Sequence, residues 1–108
     1  EEIIASYREA LRLLPQGHPE ASLALQGLAI ALHSRFQRTQ SLADLDEVIV
    51  LERQTLDSRP EGHADRCSAL NNLAFSLISR YEVQGSDEDL EASIDFARAS
   101  LSLRPPGH

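Results

Sequence analysis

Apolar side chains recur along this chain at the spacing of one face of an α-helix. The clearest stripe, at positions i, i+3, i+4, i+7 and i+11, consists of Leu25, Leu28, Ala29, Leu32 and Phe36. A second stripe with the same spacing consists of Leu70, Leu73, Ala74, Leu77 and Tyr81. Such spacing is typical of helices that bury one side and expose the other. The pattern predicts an all-α chain with helices at 2–14, 19–37, 42–58, 64–82 and 87–103.

The two stripes belong to an internal repeat. Turns that end in Gly-His occur at Pro15–His18, Pro60–His63 and Pro105–His108, each 45 residues from the next. The same shift also superposes further pairs: Ser34 and Ser79, Arg35 and Arg80, Ser41 and Ser86, Asp44 and Asp89, Leu45 and Leu90, Ile49 and Ile94, Leu56 and Leu101. Because residues 1–14 align with 46–59, the chain starts inside a unit. If the two helices of a unit are called A and B, the predicted order is B-A-B-A-B.

Residues at the ends of the predicted helices support these boundaries. Helix B opens with Ser41-x-x-Asp44 or its copy, where the serine side chain is expected to cap free amides and the acid complements the helix dipole. It closes before a proline, because the residue preceding proline is disfavoured in helical geometry. Gly17 suits a left-handed turn and Pro19 suits the first turn of the next helix. The predicted segments are a half repeat at 1–18 and repeats at 19–63 and 64–108.

The second unit resembles a tetratricopeptide repeat. The resemblance rests on Ala69–Ala74, then Leu77, Tyr81, Gly85, Leu90, Ile94, Leu101, Leu103 and Pro105. The resemblance implies a right-handed α-solenoid of antiparallel helix pairs, in which helix A lines the concave surface. At 45 residues the unit is longer than the usual one of about 34. This long form looks like the repeats of kinesin light chains and of large fungal proteins, and we expect the chain to be cut from a longer array.

Charge and composition limit the partners. The net charge is −7, and the sequence pI is 4.9, so phosphate backbones and anionic lipid heads are repelled and neither nucleic acid nor membrane is expected. All ten basic residues are arginines, so no lysine is present for a Schiff base or a phosphate loop. Cys67 is the only cysteine, which favours a cytoplasmic setting. No signal peptide or membrane span is expected from the short apolar runs.

Helix A is the candidate binding surface. Helix B is densely acidic, whereas helix A carries almost no charge between its ends and is therefore easier to desolvate. By resemblance to the family, the concave face would consist of Leu23, Gln26, Gly27, Ile30, His33 and Ser34, and of Ser68, Asn71, Asn72, Phe75, Ile78 and Ser79. Within this set we predict contacts to a partner peptide or helix for Gln26, Ile30, His33, Asn71, Asn72, Phe75 and Ser79.

Asn72 stands where the family often uses asparagine to hold a ligand's backbone, because a carboxamide both donates and accepts hydrogen bonds. Its copy in the preceding unit is Gly27, which lacks such a group. The alternative is that Asn71 and Asn72 only serve packing, for example by bonding a neighbouring helix.

The sequence gives only weak support for three other functions. A clamp for a carboxylate tail needs several inward cations, and helix A offers arginines only near its ends. His63 and Cys67 lie four residues apart, but no orienting acid accompanies them and their copies are His18 and Ser22, so no enzyme is predicted. The histidines His18, His63 and His108 lie too far apart to share a metal, and no cofactor is expected.

The outer helices of the array lack a polar cap. The first shows Ile3, Ile4, Tyr7, Leu11 and Leu14, and the last shows Leu90, Ile94, Ala97 and Leu101. Exposed apolar faces of this kind promote association, so a homodimer or end-to-end stacking is expected. The leading hypothesis is a protein-binding scaffold. The alternatives are a structural spacer or self-association module, and a regulatory segment of a larger signalling or protease protein.

Overall fold

The computed structural model describes residues 2–15, 17–58 and 66–103. This part of the chain is all-α, as predicted, and its helices are α1 (Glu2–Leu13), α2 (Pro19–Thr39), α3 (Leu42–Asp57), α4 (Arg66–Gln84) and α5 (Asp87–Ser102). The five predicted helices are confirmed, and their boundaries agree within two residues among the described positions. The helices fall into two compact units, Glu1–Ser58 and Arg59–His108.

The first unit has α2 at its centre, packed against α1 and α3. Its buried core is the predicted stripe of α2 together with apolar residues of its neighbours: Ile4, Leu28, Ala29, Leu32, Val48 and Leu51. Leu32 and Val48 are completely inaccessible to solvent. The apolar residues that recur at helical spacing in the sequence therefore lie together in one buried core, because burial removes their side chains from water.

The second unit is an antiparallel hairpin of α4 and α5. Arg80 near the end of α4 reaches Asp89 at the start of α5, and Cys67 at the start of α4 reaches Ser100 near the end of α5. The core side of α4 is again its predicted stripe, with Leu73 and Leu77 fully buried. The antiparallel helix pair expected for a repeat of this type is present.

The turn before α2 has the chemistry that the Gly-His motif predicts. Gly17 has φ +85°, in the left-handed region, and Pro19 is the first residue of α2. His18 is the N-cap, and its Nδ1 accepts a hydrogen bond from the Glu20 amide at 3.0 Å. The imidazole therefore satisfies one of the free amides at the start of the helix. Gly62, His63 and His108 lie outside the described residues.

The prediction of serine side-chain caps on helix B was wrong. Ser41 and Ser86 do occupy the N-cap positions of α3 and α5, but neither side chain makes a capping hydrogen bond. Instead, the Ser41 carbonyl accepts from the Asp44 and Leu45 amides at 3.2 and 3.3 Å, and the Ser86 carbonyl is bonded in the same way. A tight first turn thus satisfies the amide that the hydroxyl was expected to bind.

Both A helices end on a residue in the left-handed conformation. Gln40 has φ +59° after α2, and its amide bonds the Phe36 carbonyl at 2.7 Å. Gly85, which is 45 residues later, has φ +74° and bonds the Tyr81 carbonyl at 2.6 Å. Both units therefore have a left-handed residue at this position. Only the second unit has a glycine there, which adopts this conformation without steric cost.

Replacing Gln40 with Gly is expected to stabilise the protein by about 1 kcal/mol, because the left-handed conformation costs about 1–2 kcal/mol for a residue with a Cβ, and glycine's extra entropy in the unfolded chain offsets part of that gain. Thermal unfolding monitored by circular dichroism measures the change. The matched control is Gly85→Gln, which is expected to lower the melting temperature. A Gln40→Gly variant that melts below the wild type would contradict this account of the turn.

Candidate functional site

Each A helix exposes a large apolar side chain at the same repeat position. Ile30 of α2 is 69% exposed, and Phe75 of α4, which is 45 residues later, is 58% exposed. Leu23 on α2 is similarly exposed. Single exposed apolar residues are common, but here one recurs at the same repeat position in each of the two units.

In the first unit, Ile30 borders a groove between α1 and α2. The groove has a volume of about 320 Å³ and is lined by Ile3, Tyr7, Gly27, Ile30, Ala31 and Ser34. This volume is at the lower end of the range for ligand pockets, and nearly all of the lining is apolar. Such a groove suits an apolar side chain of a partner better than a polar small molecule.

Gly27 is what allows α1 to approach α2 here. A Cβ at this position would overlap the ring of Tyr7, because the ring atoms Cζ and Cε1 lie directly over the glycine. Gly27 was predicted on the binding face, and it does line the groove, but it does so beneath an aromatic side chain. Sequence reasoning missed Ile3 and Tyr7 as members of this surface. The sequence feature that indicates this contact is a large residue on helix B, Tyr7, combined with a glycine on the next helix A, Gly27.

In the second unit, the predicted asparagines lie beside Phe75. Asn71 and Asn72 are both exposed, and they precede Phe75 by four and three residues, so all three share one side of α4. Within the described part of the chain neither carboxamide makes a hydrogen bond, and the binding role and the packing role both stay predictions. The two amides and the aromatic ring therefore form a patch with an apolar anchor and polar groups beside it.

The remaining predicted contact residues are less open. Gln26, His33 and Ser79 are half-buried. The His33 ring lies 6.1 Å from the ring of Phe36 at a tilted angle, and burial lowers the pKa of His33, which favours the neutral imidazole. The Ser79 hydroxyl donates to the Phe75 carbonyl at 3.0 Å, so it is already used inside the helix. Of the predicted set, Ile30, Asn71, Asn72 and Phe75 are the residues most accessible to a partner.

The comparisons with known proteins decide the type of repeat. The profile of the tetratricopeptide repeat family matches residues 66–108, which covers α4, α5 and the segment after them. This segment is a tetratricopeptide repeat. Of the residues that carried the resemblance in the sequence, Leu70, Leu73, Ala74 and Leu77 are buried in α4, and Pro105 lies outside the described residues. No curated protein and no solved structure matches the chain.

Tetratricopeptide repeats generally mediate protein–protein interaction and are typically non-catalytic scaffolds, which agrees with the expected class of partner. No helix among the described residues is long and apolar enough to cross a membrane. Residues 2–15, 17–58 and 66–103 contain no cluster of three or more side chains that could hold a metal ion.

The α2–α3 and α4–α5 pairs are each joined by a partly buried ion pair that the sequence analysis did not predict. In the tetratricopeptide repeat, Arg80 donates two hydrogen bonds to Asp89, both at 2.8 Å. In the first unit, Arg35 bonds Asp44 with the same geometry and distances. The hydrogen bonds from Arg35 lower the pKa of Asp44, against the effect of burial. The sequence did contain a signal for these ion pairs. The arginine and the aspartate both recur after 45 residues, and they are nine residues apart in each unit.

Cys67 has a structural role in the tetratricopeptide repeat. Its sulfur lies 2.9 Å from the Ser100 hydroxyl, and that hydroxyl also donates to the Cys67 carbonyl at 3.3 Å. Ser100 is fully buried, so these contacts fix the open end of the α4–α5 hairpin. His63, the other member of the catalytic pair considered from the sequence, lies outside the described residues.

Proposed function

We propose that the chain is a scaffold whose A helices bind a peptide or helix of a protein partner through Ile30 and Phe75. One observation carries the proposal: two large apolar side chains, one in each unit, are exposed at the same repeat position. Apolar anchors on a weakly charged surface contribute most of the binding energy in typical interfaces.

The residues around the two proposed anchors, Ile30 and Phe75, indicate which kind of partner segment would bind. The groove beside Ile30 takes an apolar side chain, and Asn71 and Asn72 offer carboxamides that suit the backbone of an extended segment. Since the net charge is −7, a neutral or basic segment is favoured over an acidic one. The proposed setting is the cytoplasm, where the thiol of Cys67 stays reduced.

Alanine substitutions at the anchors are expected to weaken binding. A peptide selected from a random display library against the wild-type chain serves as the ligand, and isothermal calorimetry measures its affinity. Ile30→Ala and Phe75→Ala are each expected to raise the dissociation constant about tenfold, which is about 1.4 kcal/mol. Asn72→Ala is expected to cost about 1–3 kcal/mol if its carboxamide bonds the peptide backbone.

The matched control is Val50→Ala on α3, because Val50 is 54% exposed but lies on a B helix. It should leave the affinity unchanged. Circular dichroism confirms that each variant stays folded. Equal losses at Val50 and at the anchors, or no loss at either anchor, would reject the A helices as the binding surface.

A second function, self-association, is favoured by one feature of α5. This helix exposes Ile94 and Leu101, at 42% and 62%, while Ile49 and Leu56 at the same repeat positions of α3 are buried. We propose that the chain associates with itself at high micromolar concentration through the exposed apolar residues of α5. Sedimentation equilibrium tests this, and a monomer across the whole range would count against it.

A further inference from the structure

The exposed face of α4 continues beyond Phe75 to a carboxylate near the end of the helix. Glu82 follows Phe75 by seven residues, which is nearly two full turns, so the two side chains leave α4 in almost the same direction. Both residues are exposed, and they lie about 10 Å apart along the helix at a rise of about 1.5 Å per residue. An apolar anchor and a negative charge therefore share one face of α4 at a defined separation.

The equivalent positions of α2 form the same face without the charge. Ile30 and Gln37 lie 45 residues before Phe75 and Glu82, and they are also exposed. The face is thus accessible in both units, but α2 presents a neutral amide where α4 presents a carboxylate. This difference gives α4 a means of selecting a partner by charge.

Glu82 is unfavourable for the stability of its own helix. It lies in the last turn of α4, where the helix dipole disfavours an anion, and this turn contains no basic residue. The last turn of α2, by contrast, contains Arg38. None of the positions three or four residues away from Glu82 is basic, and Glu82 makes no ion pair with any residue that the structure describes. A local departure of this kind points to contact with another molecule.

The surroundings of Glu82 add to its negative charge. Residues 80–91 contain five acidic residues and one arginine, for a net charge of −4, whereas the equivalent residues 35–46 contain two of each and are neutral. The single arginine, Arg80, is bonded to Asp89 through two hydrogen bonds of 2.8 Å. This end of α4 therefore attracts a cationic side chain and repels an anionic one.

We infer that α4 binds an extended segment in which an arginine or lysine contacts Glu82 and lies three residues from the apolar residue that contacts Phe75. This specificity rests on the proposed function of the A helices and defines its partner further. Three residues of extended chain span about 10 Å at about 3.3 Å per residue, which matches the separation of the two side chains. Asn71 and Asn72 precede Phe75 on the same side of α4, where their carboxamides suit the backbone of such a segment.

Peptide selection from a random display library tests the charge and the spacing. Peptides selected on the wild-type chain are expected to carry arginine or lysine three residues from a large apolar residue. Selection on Glu82→Arg should retain the apolar residue and replace the basic one with aspartate or glutamate at the same spacing. Glu91→Arg makes the same change of charge at an exposed position of α5, so this matched control should keep the wild-type preference.

The selected sequences separate failure of this contact from failure of the proposed function. Basic residues at the same spacing in peptides selected on Glu82→Arg would overturn Glu82 as the contact. A basic residue seven positions from the apolar one would also overturn the inference, because that is the spacing of a helical partner. Selection of the same peptides by Phe75→Ala and by the wild type would instead reject the proposed role of Phe75 itself.

Affinity and stability measurements distinguish a contact with the partner from a role in the fold. For a selected peptide, Glu82→Gln is expected to raise the dissociation constant about threefold at low salt, and high salt should abolish the increase. A peptide with glutamine in place of its basic residue should bind both proteins equally. The melting temperature of Glu82→Gln should equal or exceed that of the wild type, because an anion leaves the last turn. A lower melting temperature, or the same loss of affinity with the neutral peptide, would contradict the inference.

Discussion

Asp44→Asn is expected to lower the free energy of unfolding by about 2 kcal/mol at neutral pH. The substitution keeps the shape of the side chain but leaves the Arg35 guanidinium, which is 29% exposed, without its carboxylate. It also removes an acid from the first turn of α3, where the helix dipole favours negative charge. Asp89→Asn is the matched change in the second unit and should have a comparable effect, since its ion pair has the same geometry.

The effect of Asp44→Asn should depend on pH in a defined direction. The hydrogen bonds from Arg35, opposed by burial and aided by the charges of Arg35 and Arg8, hold the pKa of Asp44 below its usual value. The stabilisation is therefore fully present above the unfolded pKa of about 3.9 and is lost as the pH falls through the lower pKa of the folded state. Urea unfolding at several pH values measures the difference, and a gap between wild type and variant that stays constant down to strongly acidic pH would contradict the assignment.

Leu32→Ala is expected to be the most destabilising single substitution considered, at about 3 kcal/mol. Leu32 is completely buried in the core that α2 forms with its neighbours, so the change removes apolar contacts and leaves a cavity. Units of this size have small cores and marginal stability, so a loss of this magnitude should unfold a measurable fraction of the protein. Leu77→Ala is the equivalent change in α4, where the leucine is also fully buried.

The control for these core substitutions is Leu23→Ala, because Leu23 lies on the same helix but is 67% exposed. It should change the stability by less than about 0.5 kcal/mol. Hydrogen exchange should show the largest loss of protection in α2 and α3 for Leu32→Ala, and in α4 and α5 for Leu77→Ala. If Leu23→Ala and Leu32→Ala lowered the free energy of unfolding by similar amounts, the apolar stripe would not define the core.

The sequence predicted the helices well because each of its local signals has a direct physical cause. The period of the apolar stripe determined which side of α2 and α4 is buried, and Gly17, His18 and Pro19 determined where α2 begins. The end of α2 was placed two residues early, at 37 instead of Thr39. The helix ends where Gln40 adopts a left-handed conformation, and a glutamine gives no signal for such a turn.

The candidate site was only partly predictable, because its geometry depends on contacts between helices. The shift of 45 residues aligned Arg35 with Arg80 and Asp44 with Asp89, but it did not show that each arginine bonds its own aspartate. The groove beside Ile30 exists because Tyr7 lies over Gly27, a contact between residues 20 positions apart that no local pattern encodes. The exposure of Phe75 follows from its place outside the stripe, and that was visible in the sequence.

The proposal that the A helices bind a protein partner is tested most directly by nuclear magnetic resonance. The ¹⁵N-labelled chain is titrated with the peptide selected by display, and the amide shifts are mapped onto the helices. The proposal predicts that the largest changes cluster around Ile30 on α2 and around Asn72 and Phe75 on α4. Changes confined to α3 and α5, with the amides of α2 and α4 unaffected, would contradict it.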